Sequence, residues 1–167
     1  MNSPYMGKFR VSQEYKGSEH DGLDLVGVDS KQVHSTVSGT VVHAGWENPA
    51  DHSQGFGMYV KIRKSGSDDY YYFGHLSELN VKKGDTVKIT DIIGTEGSTG
   101  KSTGSHCHYC VREGGVRGRH KDISLISGIP NAKGTYDDGY AAGQSAVTKE
   151  ITLTIGGVTY SGTVTAR

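Results

Sequence analysis

The sequence predicts a mostly β protein, and three observations carry that reading. Short runs rich in β-branched and aromatic residues alternate apolar with polar positions, as half-buried strands do. Gly occurs 25 times in 167 residues and Pro only 3 times, a composition of many tight turns. Over residues 1–130 no segment carries a helical period. Tyr outnumbers Phe by 10 to 3, which suits sheet surfaces that are only partly covered.

Taken in chain order, FRVSQEY (9–15) reads as a first strand. TVSGTVVHAGW (36–46) reads as a turn followed by a strand, with Gly39 and Gly45 as punctuation. GMYVKIRK (57–64) alternates cleanly, and DYYYFGHL (69–76) is an aromatic strand. VKKGDTVKITDIIG (81–94) places a turn at Lys83-Gly84-Asp85 between short β pieces. The glycine-rich GSTGKSTGS (97–105) then leads into the strand HCHYCVRE (106–113). GIPNAKG (128–134) breaks the pattern and divides the chain into residues 1–130 and a C-terminal module, 131–167. In that module YDDGYAAGQSAV (136–147) is expected to form a short helix, with Tyr136, Tyr140, Gly143 and Val147 on one face. EITLTIGGVTYSGTV (150–164) is a hairpin signal turning at Gly156-Gly157. Opposing Ile155 to Val158 gives it an apolar face of Ile151, Leu153, Ile155, Val158, Tyr160 and Val164. An isolated hairpin is marginal in water, so that face is expected to pack on something.

Composition narrows the function. Basic and acidic side chains number 18 each, a balance that argues against a nucleic-acid binder. No apolar run approaches membrane-spanning length. The start, MNSPYMGKFR, lacks the apolar core of a signal peptide, so action outside a cytoplasm implies a virion-associated protein or one released at lysis. Cys107 and Cys110 are too few for a disulfide scaffold, and on one strand they face opposite ways.

Four pieces carry chemistry: HDGLD (20–24), FGHL (73–76), the loop at 97–104 and HCH (106–108). His106 and His108, one residue apart on a strand, project to one side and can reach one small site. His20 and Asp24 add a nitrogen and an oxygen donor. A catalytic zinc takes three protein ligands and leaves a position open for water, which it makes acidic enough to react near neutral pH. His20, Asp24 and one member of the HCH pair satisfy that requirement, with histidines to spare for acid–base work. The glycine-rich loop lacks the spacing of a phosphate cradle and precedes a strand, so it reads as a groove wall. His34, His43, His52 and His120 read as surface or structural residues, and Trp46 and the tyrosines at 70–72 as packing.

HDGLD, VSGTVVHAG (37–45), GFGMYVKI (55–62), FGHLSELNVKKGDTVK (73–88) and IIGTEGSTGKSTGSHCHYCV (92–111) together resemble the lysostaphin-type, LytM-like zinc metallopeptidases, in that family's order and approximate spacing. The resemblance covers roughly residues 10–130. It implies an antiparallel β-sheet peptidase core with loops walling a narrow groove. It places one zinc per chain on His20, Asp24 and His108, with His75 and His106 as catalytic partners of the attacking water. The substrate it implies is the peptide part of bacterial peptidoglycan, in cross-bridge or stem. Two residues depart from the family: Cys107 stands where a large aliphatic is usual, and Cys110 where an acid or amide is frequent. Cys110 reads as a buried thiol or as a soft neighbour of the metal.

Three competing readings fit less well. A non-catalytic cell-wall-binding relative would lose metal ligands, and all five site residues are present. A lipoyl-type carrier needs an exposed modifiable Lys at a tight hairpin. The glucose-specific phosphocarrier of the sugar phosphotransferase system does not need Asp24. The segment DISLISGIPN and the tail after it resemble lytic or tail-associated proteins of phages, which suggests attachment to a phage tail or self-association through residues 135–167.

Overall fold

The computed structural model of the chain describes residues 1–115, 118–139, 148–155 and 158–165, the last two segments by their backbone alone. In chain order its strands are β1 (Lys8–Gln13), β2 (Gly22–Gly27), β3 (Gln32–His34), β4 (Gly39–Trp46), β5 (Met58–Lys64), β6 (Asp69–Gly74) and β7 (Glu78–Leu79). They continue as β8 (Thr86–Val87), β9 (Ile92–Thr95), β10 (Cys107–Glu113), β11 (Arg119–Lys121), β12 (Gly134–Asp137), β13 (Thr148–Ile155) and β14 (Val158–Thr165). The main sheet runs β12-β1-β2-β10-β6-β5-β4-β8, with β11 also paired to β10, and every pairing in it is antiparallel. A second sheet, β3-β9-β7, is antiparallel too. The fold is therefore mostly β, as the alternation and the glycines foretell.

Two expectations are corrected. A helix, α1 (Ile123–Ser127), lies within the stretch read as all strand. It is a single turn, capped by the Asp122 side chain on the Ser124 N–H at 2.9 Å and closed by Gly128 at φ 71°. So short a helix leaves no periodic trace. The helix expected over 136–147 does not begin as one: Tyr136 and Asp137 belong to β12, opposite Phe9 and Lys8 of β1. The Tyr136 ring packs on Phe9 with centroids 6.1 Å apart, and the β1 edge supplies its backbone partners. Residues 140–147 lie outside the described residues. The main sheet thus reaches Asp137, past the break read at 128–134. The β13–β14 hairpin pairs Ile155 with Val158, the register expected for it.

Pleating assigns each central strand two jobs. One face supplies the core: Leu23 and Leu25 of β2, Val60 and Ile62 of β5, Tyr71 and Phe73 of β6, and Cys107, Tyr109 and Val111 of β10, all buried in one cluster. Tyr5, Val33, Leu76, Ile93 and Ile123 close over it. The opposite face of the same strands carries Asp24, His108, Cys110 and Tyr72.

Glu96 pins the two sheets together from inside. Its carboxylate accepts from the Tyr5 hydroxyl (2.6 Å), the Gly27 N–H (2.7 Å), Lys31 Nζ (2.8 Å) and the Ser105 hydroxyl (2.6 Å). Burial alone would raise its pKa, but these donors, Lys31 foremost, outweigh burial and hold it below its ordinary value. Glu96→Ala is expected to cost about 3 kcal/mol or more, since each buried donor left unmet costs about 1–3 kcal/mol. A lowered folded-state pKa gives stability that is present above the unfolded value and lost as pH falls through the folded one. Urea unfolding should therefore show the advantage of the native chain over Glu96→Gln at neutral pH, and show it shrinking in acid. Equal stability of the two at neutral pH would remove Glu96 from this role.

Candidate metal centre and active site

The register of three strands builds the site. His108 of β10 stands opposite Asp24 of β2 on one side and Gly74 of β6 on the other. Opposed residues share a face, so the imidazole and the carboxylate meet without any loop to steer them. Two glycines make room. A Cβ on Gly22 would lie 2.7 Å from His108 Nε2 and 2.7 Å from the Tyr109 carbonyl, and one on Gly74 would lie 2.9 Å from the Phe56 ring. His20, four residues before Asp24 in the bend that enters β2, swings its ring over the same spot.

His20 Nε2, Asp24 Oδ1 and His108 Nδ1 form a tight triangle with edges of 3.0, 2.9 and 3.2 Å. Ligand atoms around a tetrahedral zinc stand roughly 3.3 Å apart, so the triangle suits such an ion with a small expansion. The protons point the same way. His20 Nδ1 donates to the Glu14 carbonyl at 2.7 Å, which leaves Nε2 as a lone pair. His108 lies between two carboxylates, Nε2 3.3 Å from Asp21 Oδ1 and Nδ1 2.9 Å from Asp24 Oδ1; burial acts to lower its pKa, but the two acids win and push it well up, so a cation at the triangle would take the place of the proton on Nδ1 while Nε2 keeps its own toward Asp21. Three donor atoms converge on one point, an arrangement that a cation satisfies once it displaces the protons between them. Burial acts to raise the Asp24 pKa, but its contacts with the His108 and His20 rings win and hold the carboxyl well below the usual range.

His75 and His106 complete the constellation. Their rings are 4.6 Å apart, and His106 Nε2 lies 3.5 Å from Asp24 Oδ1. Each is anchored through Nδ1 on a backbone carbonyl, His75 on Thr99 at 2.7 Å and His106 on Gly104 at 2.7 Å. Both therefore turn Nε2 toward the triangle. Burial pushes the His75 pKa down to about 4, only partly offset by the Thr99 carbonyl, so the ring is neutral at neutral pH. His75 holds a left-handed backbone, φ 63°, which few non-glycine residues adopt. Its N–H is fixed to the Phe56 carbonyl at 2.8 Å, so the strain is held by neighbours on both sides.

The family model described as Peptidase family M23 matches residues 18–121, the stretch that holds all five of these side chains. The chain belongs to Peptidase family M23. Among similar proteins are lysostaphin of Staphylococcus simulans, 38% identical over 56% of this chain and 18% of its own length, and the glycyl-glycine endopeptidase ALE-1 of Staphylococcus capitis, 37% identical over 56% and 24%. The chain thus spans about a fifth to a quarter of those relatives. Among solved structures, the catalytic domain of the prophage-encoded M23 protein EnpA of Enterococcus faecalis matches with TM-score 0.59 and 30% identity, covering 72% of this chain and 94% of that domain. Lysostaphin matches with TM-score 0.60 and 30% identity, covering 70% and 49%.

In this M23 chain the site opens into a groove of about 830 Å³. Two adjoining wall segments line it, the glycine-rich loop and the segment between β4 and β5, and Gln13, Glu19 and Asp21 line it as well. The two segments lock together through backbone: Lys101 N–H to the Gly55 carbonyl at 3.0 Å and Gly100 N–H to the His52 carbonyl at 3.1 Å. Gly57 and Gly100 pass so closely that a Cβ on either would meet the other's backbone within 2.4 Å, and both have positive φ. Lys101, Ser102 and Thr103 line the groove together with Glu47, Ser53 and Phe56.

The other histidines have structural company. His34 Nδ1 bonds the Thr90 carbonyl, His120 meets the Tyr15 hydroxyl, His43 stacks on Tyr59 and His52 on Trp46. Tyr71 joins the core, and Tyr72 packs with Tyr59 and Cys110 beneath the groove. Cys110 is fully buried, and its thiol lies within 4.8 Å of His108 and Asp21. Burial pushes that thiol up, against the pull of His108, so it stays protonated. Cys107 points into the core, away from Cys110. Two residues beside the site escaped the sequence reading: Asp21, inside HDGLD, and Arg112, which grips it at 2.7–2.9 Å.

Proposed function

We propose that the chain is a zinc-dependent endopeptidase that hydrolyses peptide bonds of bacterial peptidoglycan, in cross-bridge or stem peptide. The observation that carries this reading is the convergence of three donor atoms, His20 Nε2, Asp24 Oδ1 and His108 Nδ1, beside two anchored histidines in an open groove. Similar proteins agree with it: a glycyl-glycine endopeptidase, and a zinc-containing peptidase from Vibrio cholerae at TM-score 0.52 and 27% identity. One zinc per chain, held by His20, Asp24 and His108, supplies Lewis-acid activation of water and of the scissile carbonyl.

The protein's own groups do the rest. The two walls lay an extended peptide across the sheet face, over Asp24 and His108. His106, its Nδ1–H spent on Gly104, presents Nε2 to accept the proton of the attacking water and return it to the leaving amine. His75, neutral and fixed on Thr99, accepts the water's other hydrogen and aims it at the carbonyl. Deep burial of His75 and His108 keeps bulk water from competing for those bonds.

Residues up to Asp138 belong to the catalytic body on this proposal, because β12 pairs with β1 and the Asp138 carboxylate accepts the Gly7 N–H at 2.8 Å. The β13–β14 hairpin is the attachment module. The setting we propose is a phage or prophage lytic or tail-associated protein acting at the cell wall, the prophage-encoded EnpA being a similar structure. No helix among the described residues is long and apolar enough to cross a membrane.

Muropeptide mass spectrometry of purified cell walls after digestion tests the reading, with the full chain and a chain ending after Gly139 side by side. New amino termini in the stem or cross-bridge are expected from both, with weaker wall retention for the shorter chain. Walls left intact by the zinc-loaded full chain would instead favour a non-catalytic wall-binding domain.

A further inference from the structure

Three of the four site imidazoles are held by backbone carbonyls: His20 by Glu14, His75 by Thr99 and His106 by Gly104. His108 is the exception. It is turned the other way, Nδ1 to the site and Nε2 outward, and its outward nitrogen meets a side chain, Asp21 Oδ1, at 3.3 Å. The other Asp21 oxygen is taken by Arg112, Nε at 2.9 Å and Nη2 at 2.7 Å. Arg112 lies four residues after His108 on β10, on the same face, and its guanidinium sits over Phe56 and Tyr72 at 5.5 and 5.3 Å from the ring centres. Gly22 leaves the His108 edge uncovered at the point where Asp21 reaches it.

We propose that Asp21 and Arg112 are positioning residues for the metal centre: Asp21 takes the Nε2–H of His108 and so commits Nδ1 to the metal, and Arg112 holds Asp21 in that pose. The proposal rests on the reading of His20, Asp24 and His108 as the metal ligands. The geometry divides the labour between the two carboxylates of HDGLD. Asp24 faces the converging donors, whereas Asp21 is kept out of that set because its second oxygen is occupied by the guanidinium. A carboxylate on the far nitrogen also makes the imidazole a better donor than a neutral partner does, and such partners are worth about 10–100-fold in metal affinity. Cys110, within 4.8 Å of His108 and Asp21, is the only other candidate partner there among the described residues. A thiol is a weak acceptor and cannot replace the carboxylate.

The test is zinc affinity of the full chain by competition with a chromophoric chelator, together with the absorption spectrum of the cobalt(II)-loaded protein. Asp21→Ala is expected to bind zinc about 10–100-fold more weakly. Asp21→Asn, which keeps shape and an acceptor oxygen, should recover part of that loss. Arg112→Met should weaken binding in the native background and add nothing to Asp21→Ala, because Arg112 acts through Asp21. The cobalt spectrum should change in each weakened variant, while thermal melting of the metal-free Asp21→Asn protein stays close to that of the native chain. Native affinity and an unchanged cobalt spectrum in Asp21→Asn and Asp21→Ala would overturn the proposal. Should Asp21→Ala fail to fold, Asp21→Asn decides on the same two readouts. Failure of the underlying reading looks different: the native chain would take up no stoichiometric zinc, or His108→Ala would keep it.

Discussion

His108→Ala is expected to come off purification with essentially no zinc, where the native chain carries about one ion. The substitution removes Nδ1, and with it two of the three edges of the donor triangle, 2.9 Å to Asp24 and 3.2 Å to His20. Two remaining donors do not make a zinc site of the catalytic kind, which needs three. It also leaves the Asp21 and Asp24 carboxylates facing the space the ring filled. Elemental analysis of the dialysed proteins reads the result directly, and hydrolysis of cell-wall peptides should vanish with the metal. Zinc retained at full stoichiometry by His108→Ala would mean that the third donor is another residue.

Alanine at His75 or His106 should separate metal from turnover. Both variants are expected to keep zinc and to lose about 10²-fold or more in kcat, the usual worth of a positioned acid–base group. Neither ring forms an edge of the triangle; His106 approaches Asp24 only at 3.5 Å, and His75 touches the site ring-to-ring. Because both serve the same water, the double variant should lose much less than the product of the two single losses. Zinc content and single-substrate kinetics on a soluble cell-wall peptide check all three proteins. Loss of zinc in either single variant would make that histidine a ligand, and full turnover in both would end the proposed division of labour.

The central strands are legible in the sequence alone. Period-two alternation and glycine punctuation mark β4, β5, β6 and β10 because those strands turn one face to the core and a different one away from it, and each face leaves its own residues in the pattern. The proposed site residues are legible for a related reason: His20 and Asp24 lie four apart where the chain enters β2, and His106 and His108 lie two apart where it enters β10. Partners that depend on which strands are neighbours are not legible. Asp21 and Arg112 meet only because Gly22 pairs with Cys110 in the β2–β10 register, and nothing local announces that. Nothing in IIGTEG marks Glu96 as the buried tie between the Tyr5 hydroxyl and Ser105. The tail misleads for a plainer reason. Spacings of 4, 3 and 4 from Tyr136 onward fit a helix, but the open edge of β1 offers a hydrogen-bonding partner that no periodicity can report.

The two interlocked walls bear on how such a protein could be given a new preference. Every residue of β10 from Cys107 to Val111 is buried, so changes there would disturb folding as much as chemistry. The rims are different. Ser102, Thr103 and Ser53 line the groove and lie outside the hydrophobic core. Their backbones are stapled to each other at Gly55–Lys101 and His52–Gly100, so side chains can be exchanged on a frame that does not widen or close. Diversification by design or by selection has its positions at Thr103 and Ser53, whereas Ser102 is tied to Gly104 and approaches His106, and the two staples keep the segments that carry them in one place.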